Sequence, residues 1–184
     1  MARRKNPKDN PSSGKEPLEQ IRTFGDPVLR QETRAVECFD GQLCRLADVM
    51  FAVMEREEGV GLAAPQIGLV SRIMVWKDPE KEDERHVFVN PRIVKVSEAT
   101  TVEMEGCLSV PVESIGVPRA EEIVVEAQDL EGNTFEIELS GFQARVVQHE
   151  VDHLDGRLII DRASPEDRKR ALKYLRERAL AGGS

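Results

Sequence analysis

Cysteine is scarce in this chain: Cys38, Cys44 and Cys107 are the only three among 184 residues. Three thiols make no disulfide framework for a chain of this size, so a reducing, cytoplasmic setting is expected. No apolar run is long enough to span a bilayer, and the N-terminus carries no signal-peptide core; neither a membrane partner nor secretion is expected. Basic charge is not in excess. The formal net charge of −8 argues against free nucleic acid and anionic membrane surfaces as partners. No internal repeat is visible. What is present, 40% hydrophobic and 33% charged residues, describes a soluble globular protein with room for one real core.

Residues 1–17, MARRKNPKDNPSSGKEP, have almost no large apolar groups and are expected to be a disordered tail, leaving 18–184 as a single domain. Arg3, Arg4 and Lys5 hint at a transit peptide, but no amphipathic face follows and Asp9 and Glu16 intrude. Residues 18–36 place Ile21, Phe24, Val28 and Leu29 around Gly25-Asp26-Pro27, an irregular arm with apolar anchors. A helix is predicted from Asp40 to Glu57, with Asp40 as N-cap and Leu43, Ala47, Met50 and Met54 at helical spacing. Gly59 is expected to end it, and GVGLAAPQIG (59–68) to form a loop. The small side chains there let another backbone or a ligand approach closely, and Gln66 alone has donors to aim.

Residues 72–77, 86–90, 92–96 and 100–104 are predicted strands, with an exposed turn from Lys77 to Arg85 and His86 as a surface side chain. Residues 122–130 and 134–140 form a hairpin about Glu131-Gly132-Asn133. Ser164-Pro165-Glu166-Asp167 opens a final helix, with Ser164 as N-cap, Pro165 in the first turn and acids at the positive end. Strands grouped between helices favour an antiparallel α+β domain over a doubly wound fold.

The chemistry concentrates in QHEVDHLDG (148–156), an HExxH pattern. On a helix His149 and His153 share a face and can close on one ion, with Glu150 at its edge free to handle a proton. Phe142 and Val146 continue that stripe, and Gly156 stands where a C-terminal cap belongs. A catalytic site of this type keeps three protein ligands and one open position. No histidine follows His153, so the third ligand is either a downstream acid, Glu166 or Glu177, as in thermolysin-like peptidases, or Cys107 in EGCLS (105–109).

GVGLAAPQIG, EGCLS and QHEVDHLDG, in that order, resemble the three signature motifs of the peptide deformylases, and IRTFGDPVLR (21–30) resembles that family's N-terminal arm. The likeness runs from about residue 20 to 180 and is closest to the compact bacterial form. It implies a mixed, mainly antiparallel α+β fold around a central HExxH helix, with a C-terminal helix, and a single catalytic metallohydrolase domain over 18–184. It implies Cys107, His149 and His153 as ligands of one divalent ion, Fe2+ in the cell, with Zn2+, Ni2+ or Co2+ as substitutes. The implied reaction removes the N-formyl group from the initiator methionine of nascent chains. Metal-activated water is the nucleophile, Glu150 the general acid and base, and Gln66 with the Leu108 N–H the oxyanion donors. Val60, Gly61 and Gly106 would line the extended peptide, and Phe142 and Val146 the methionine pocket. Glu105 and Arg119 would brace the cysteine loop. The chain departs from the family at Ser114, where many members carry a basic side chain that touches the peptide. A monomer is expected, and the basic residues of 164–180 suit docking on the ribosome.

Overall fold

The computed structural model describes residues 20–78 and 84–181; the expected tail and most of the turn after Lys77 lie outside them. Helix α1 (Gly41–Arg56) begins where Asp40 accepts hydrogen bonds from the Gln42 and Leu43 amides. It stops earlier than Gly59. Glu57 is the C-cap and Glu58, not a glycine, takes the left-handed conformation at φ +56. The Glu58 and Gly59 amides then close on the Glu55 and Met54 carbonyls, which satisfies two of the last acceptors of the helix.

A five-stranded antiparallel sheet has the order β1-β2-β3-β6-β7, with β1 at Gly61–Ala63, β2 at Ile73–Lys77, β3 at Arg85–Val96, β6 at Glu122–Gln128 and β7 at Thr134–Ser140. Strands β4 (Thr100–Cys107) and β5 (Val110–Ala120) form a separate antiparallel pair. Three expectations are corrected here. The strands predicted at 86–90 and 92–96 are one strand, bent at Asn90 (φ +53) and Pro91 with a shift of register. The GVGLAAPQIG loop contains β1 and a short 3-10 turn, Ala64–Ile67. Strand β5 was not predicted at all.

Both faces of the larger sheet are covered. On β2, Ile73 and Val75 join Met50, Phe51, Val53 and Met54 of α1 on one side. Met74 and Trp76 join Ala144, Val147, Val151 and Leu154 of helix α2 (Gly141–Leu154) on the other. The period-2 alternation of side chains makes this division possible. A third cluster joins Val110, Ile115 and Val117 of β5 to the short helix α3 (Ile159–Arg162), to Ala171 and Leu175 of α4 (Pro165–Ala181), and to Leu29 of the N-terminal arm. The fold is therefore α+β, and α2, the HExxH helix, stands between the two sheets. Its core-facing stripe is Ala144, Val147, Val151 and Leu154, one position round from the Phe142–Val146–His149–His153 stripe, whose first three members line a cleft while His153 is buried. No helix among the described residues is long and apolar enough to cross a membrane.

Helix α2 ends as its sequence predicts. Gly156 adopts φ +69, its amide bonds the His153 carbonyl, and the Arg157 amide bonds that of Asp152. A Cβ on Gly156 would stand 2.7 Å from the Arg30 carbonyl oxygen, so both conformation and space require glycine. Gly156→Ala is expected to lose roughly 1–3 kcal/mol of stability, read as a lower denaturant midpoint with an unchanged slope.

Candidate active site

Three predicted ligands converge although 46 residues separate the first from the last. Cys107 ends β4, while His149 and His153 occupy successive turns of α2. Their ligand atoms all lie within 4.8 Å of one another, with Cys107 Sγ 3.2 Å from His153 Nε2. That is about the separation of two ligands sharing one tetrahedral ion. The alternative ligand Glu166 is exposed on α4, and neither it nor Glu177 belongs to the cluster. Cys38 and Cys44 are exposed free thiols.

The rings are prearranged. His149 Nδ1 lies 3.0 Å from Glu105 Oε2, which turns its Nε2 toward the sulfur. Burial would raise the Cys107 thiol, but the charges and hydrogen bonds of His153 and His149 outweigh it and hold the group well below the ordinary thiol range. Burial would likewise lower His149, and its contacts with Cys107 and Glu105 hold it well above the usual imidazole range. Once an incoming cation displaces the His149 proton, a thiolate and two imidazoles, one with its outer nitrogen anchored on a carboxylate, make a donor set that suits a divalent transition ion.

Glu105 is held by more than its expected partner. Its Oε1 accepts from Arg119 Nε at 2.9 Å and Arg145 Nη1 at 2.8 Å. Its Oε2 takes Arg119 Nη2 at 3.0 Å beside the His149 ring. Burial opposes ionisation, but His149 and Arg119 win and bring the carboxyl down to about 2. Arg145 was not foreseen, although it lies one helical turn before His149 and so shares its face. It also donates to the Val117 and Thr101 carbonyls.

A cleft of about 430 Å³ opens on the cluster. Every predicted catalytic and substrate-binding residue lines it: Val60, Gly61, Gln66, Gly106, Leu108, Phe142, Val146 and Glu150. Glu105, Cys107, Arg145 and His149 line it as well, and Gly59 of the first motif completes the wall with Glu58 and Met104, which no sequence signal marks. Gln66 Oε1 accepts from the Ala63 amide at 2.7 Å, which fixes the carboxamide and leaves its NH2 for the cleft. Leu108 sits in the two-residue turn between β4 and β5. Glu150 is 4% exposed, its Oε2 has no hydrogen-bond partner, and burial raises its carboxyl above the usual range. Ser114 is exposed on β5.

An α+β domain whose HExxH helix meets a cysteine from a neighbouring sheet defines a metallohydrolase class. Residues 18–169 match the sequence model of the polypeptide deformylase family. The peptide deformylase of Dictyoglomus thermophilum is 47% identical over 152 residues, covering 83% of this chain and 97% of that protein. The peptide deformylase of Thermotoga maritima has a TM-score of 0.76 at 43% identity, covering 79% of this chain and 97% of that one. That of Plasmodium falciparum has a TM-score of 0.82 at 35% identity, covering 90% and 99%. The chain belongs to the peptide deformylase family of metal-dependent enzymes.

The depressed Glu105 carboxyl has a pH consequence. A lowered carboxyl contributes stability that is complete above its unfolded pKa and is lost as pH falls through its folded one, here between about 4.5 and about 2. Glu105→Gln is expected to be less stable at neutral pH and to lose less stability across that acid range. Urea denaturation at a series of pH values reads both effects.

Proposed function

We propose that this enzyme hydrolyses the formamide of N-formyl-methionyl nascent peptides, releasing formate and a free amine. The observation that carries the reading is the Cys107–His149–His153 cluster at the base of a cleft shared with Gln66 and Glu150. Those three ligands would hold the ion, with iron as the cellular metal and zinc, nickel or cobalt as substitutes. A divalent ion bound there supplies Lewis acidity, lowering the pKa of water and drawing charge from a carbonyl oxygen.

The protein's own groups do the rest. The peptide extends along the backbone of Val60, Gly61 and Gly106, and its methionine side chain enters the apolar space beside Phe142 and Val146. As water adds to the formyl carbon, charge gathers on the formyl oxygen, where the Gln66 NH2 and the Leu108 N–H donate. One such donor is commonly worth ~10²–10³ in rate. Glu150 takes the proton from the attacking water and passes it to the departing amine. Its raised carboxyl suits it to both transfers, since a base that returns its proton works best near ambient pH. Glu105 and Arg119 set the orientation of the His149 ring and of the loop that carries Cys107.

Glu150→Ala is expected to keep its metal by elemental analysis and to lose ~10²–10⁴ in turnover on formyl-methionyl peptides. Cys107→Ser is expected to lose most of its metal, whereas a peptidase site built on a downstream acid would retain it. A Glu150→Ala protein as active as the parent would overturn the proton role.

We further propose a cytoplasmic monomer that docks on the ribosome through α4, whose Lys169, Arg176 and Arg178 are exposed. Ribosome co-sedimentation by the full chain should be lost when Lys169, Arg176 and Arg178 are all changed to Glu. Undiminished co-sedimentation would defeat the idea.

A further inference from the structure

We propose that Arg162 is a positioning residue for both candidate metal-binding histidines, acting from the surface through Asp152, Arg119 and Glu105. The inference rests on the reading of Cys107, His149 and His153 as a metal site. Arg162 is the last residue of α3, and its side chain is 40% exposed. Even so its fork points inward: Nε donates to Asp152 Oδ2 at 3.1 Å and Nη2 to Oδ1 at 2.6 Å. The Asp152 side chain is 6% exposed and precedes His153 on α2. Asp152 Oδ2 also accepts from Arg119 Nη1 at 2.5 Å. Arg119 in turn places its other two nitrogens on Glu105, which meets His149 Nδ1.

Charge alternates along this line: cation, anion, cation, anion, imidazole. One surface cation therefore bears on His153 through the adjoining backbone and on His149 through three intervening ions. Asp152 gives Arg162 its role. Glu105 has Arg145 as a second cation, but without Arg162 the buried Asp152 carboxylate would keep only Arg119 Nη1 among the side-chain donors of the described residues, and an undercompensated buried charge costs far more than a surface pair gains. With Arg162 bidentate on Asp152, Arg119 can keep its paired donors on Glu105. Buried members of the line are poorly screened by salt, so the effect reaches the site. Arg168 supplies the contrast. It lies on α4 and pairs at 3.3 Å with Asp161, which is not part of the line.

The test is cobalt(II) titration of the full-length protein against a competing chelator, with the visible cobalt spectrum and the melting temperature of metal-free protein recorded alongside. Loss of an outer partner of a ligating histidine commonly weakens metal binding ~10–100-fold, and Arg162→Gln is expected near the lower end, with a shifted cobalt spectrum. Arg162→Lys, which keeps the charge but not the fork, should recover part of the affinity. Arg168→Gln should match the parent. A merely structural Arg162 would lower the melting temperature while leaving cobalt affinity and spectrum unchanged, and that result overturns the proposal. Equal weakening in Arg168→Gln overturns it too. Should Arg162→Gln fail to fold, Arg162→Lys decides: parental affinity and spectrum defeat the relay. A parent protein that takes up no cobalt defeats the metal reading itself, and the relay with it.

Discussion

The carboxylate of Glu105 is where fold and site become one problem. A buried carboxylate is costly unless its lone pairs are filled, and it offers about four acceptor positions on two oxygens. Here each oxygen takes two partners: Arg119 and Arg145 on one, Arg119 and His149 on the other. The four contacts come from β5 and α2, while Glu105 itself belongs to β4, two residues before Cys107. The same ion that satisfies a buried arginine pair thereby fixes a ring beside the cysteine. Removing one member of such a group leaves the others desolvated and unpaired, which commonly costs ~3–5 kcal/mol. The network is accordingly a specification of geometry more than a source of stability.

Helix α2 can carry this chemistry because two partners enclose it. Ala144, Val147, Val151 and Leu154 seal it to the five-stranded sheet, which allows Arg145, Gln148, Glu150, Asp152 and His153 to be buried as well. Gln148, for example, bonds the Ala120 backbone through both its oxygen and its nitrogen. A helix facing solvent on that side would have left these groups hydrated and mobile, with no reason for a raised Glu150 or a lowered Cys107. The polar residues of the motif are thus held by tertiary structure, not by the helix alone.

The sequence made the three long helices, the β6–β7 hairpin and the pair of candidate histidine ligands legible for local reasons: caps, alternation and a four-residue spacing. Cys107 stood out only through the likeness of EGCLS to a family motif, and α3 looked like a short apolar run. It hid what depends on long-range compensation. Strand β5 contains Pro111 and Pro118, which ordinarily argue against a strand, but in a two-stranded sheet every strand has a free edge where a missing N–H goes unnoticed. Asn90-Pro91 looks like a break within β3. The chain passes through because the Asn90 side chain accepts from the Val36 amide and donates to the Val36 carbonyl. Strand β1 is three residues, all buried, too short for any periodicity to register. Arg145 went unread although its helical spacing from His149 marks it. Asp152 and Arg162 carry no such mark, since nothing local distinguishes a charge aimed inward from the solvated charges around it.

The small residues of GVGLAAPQIG acquire their meaning from the far end of the chain. A Cβ on Gly61 would stand 2.5 Å from Glu150 Oε1 and 2.9 Å from its Cγ, so the glycine is a mould for the glutamate of the HExxH helix. Two residues on, the Ala63 amide fixes the carboxamide of Gln66, and Gly59 leaves room for Leu108, whose Cδ1 would lie 3.1 Å from a Cβ there. Each of the three contacts joins the first motif to a group the proposed reaction uses: the proton carrier and two oxyanion donors. The motifs look independent because they are separated in sequence, yet sterically they form a single surface, and a side chain added to the first would displace what the others present to the cleft.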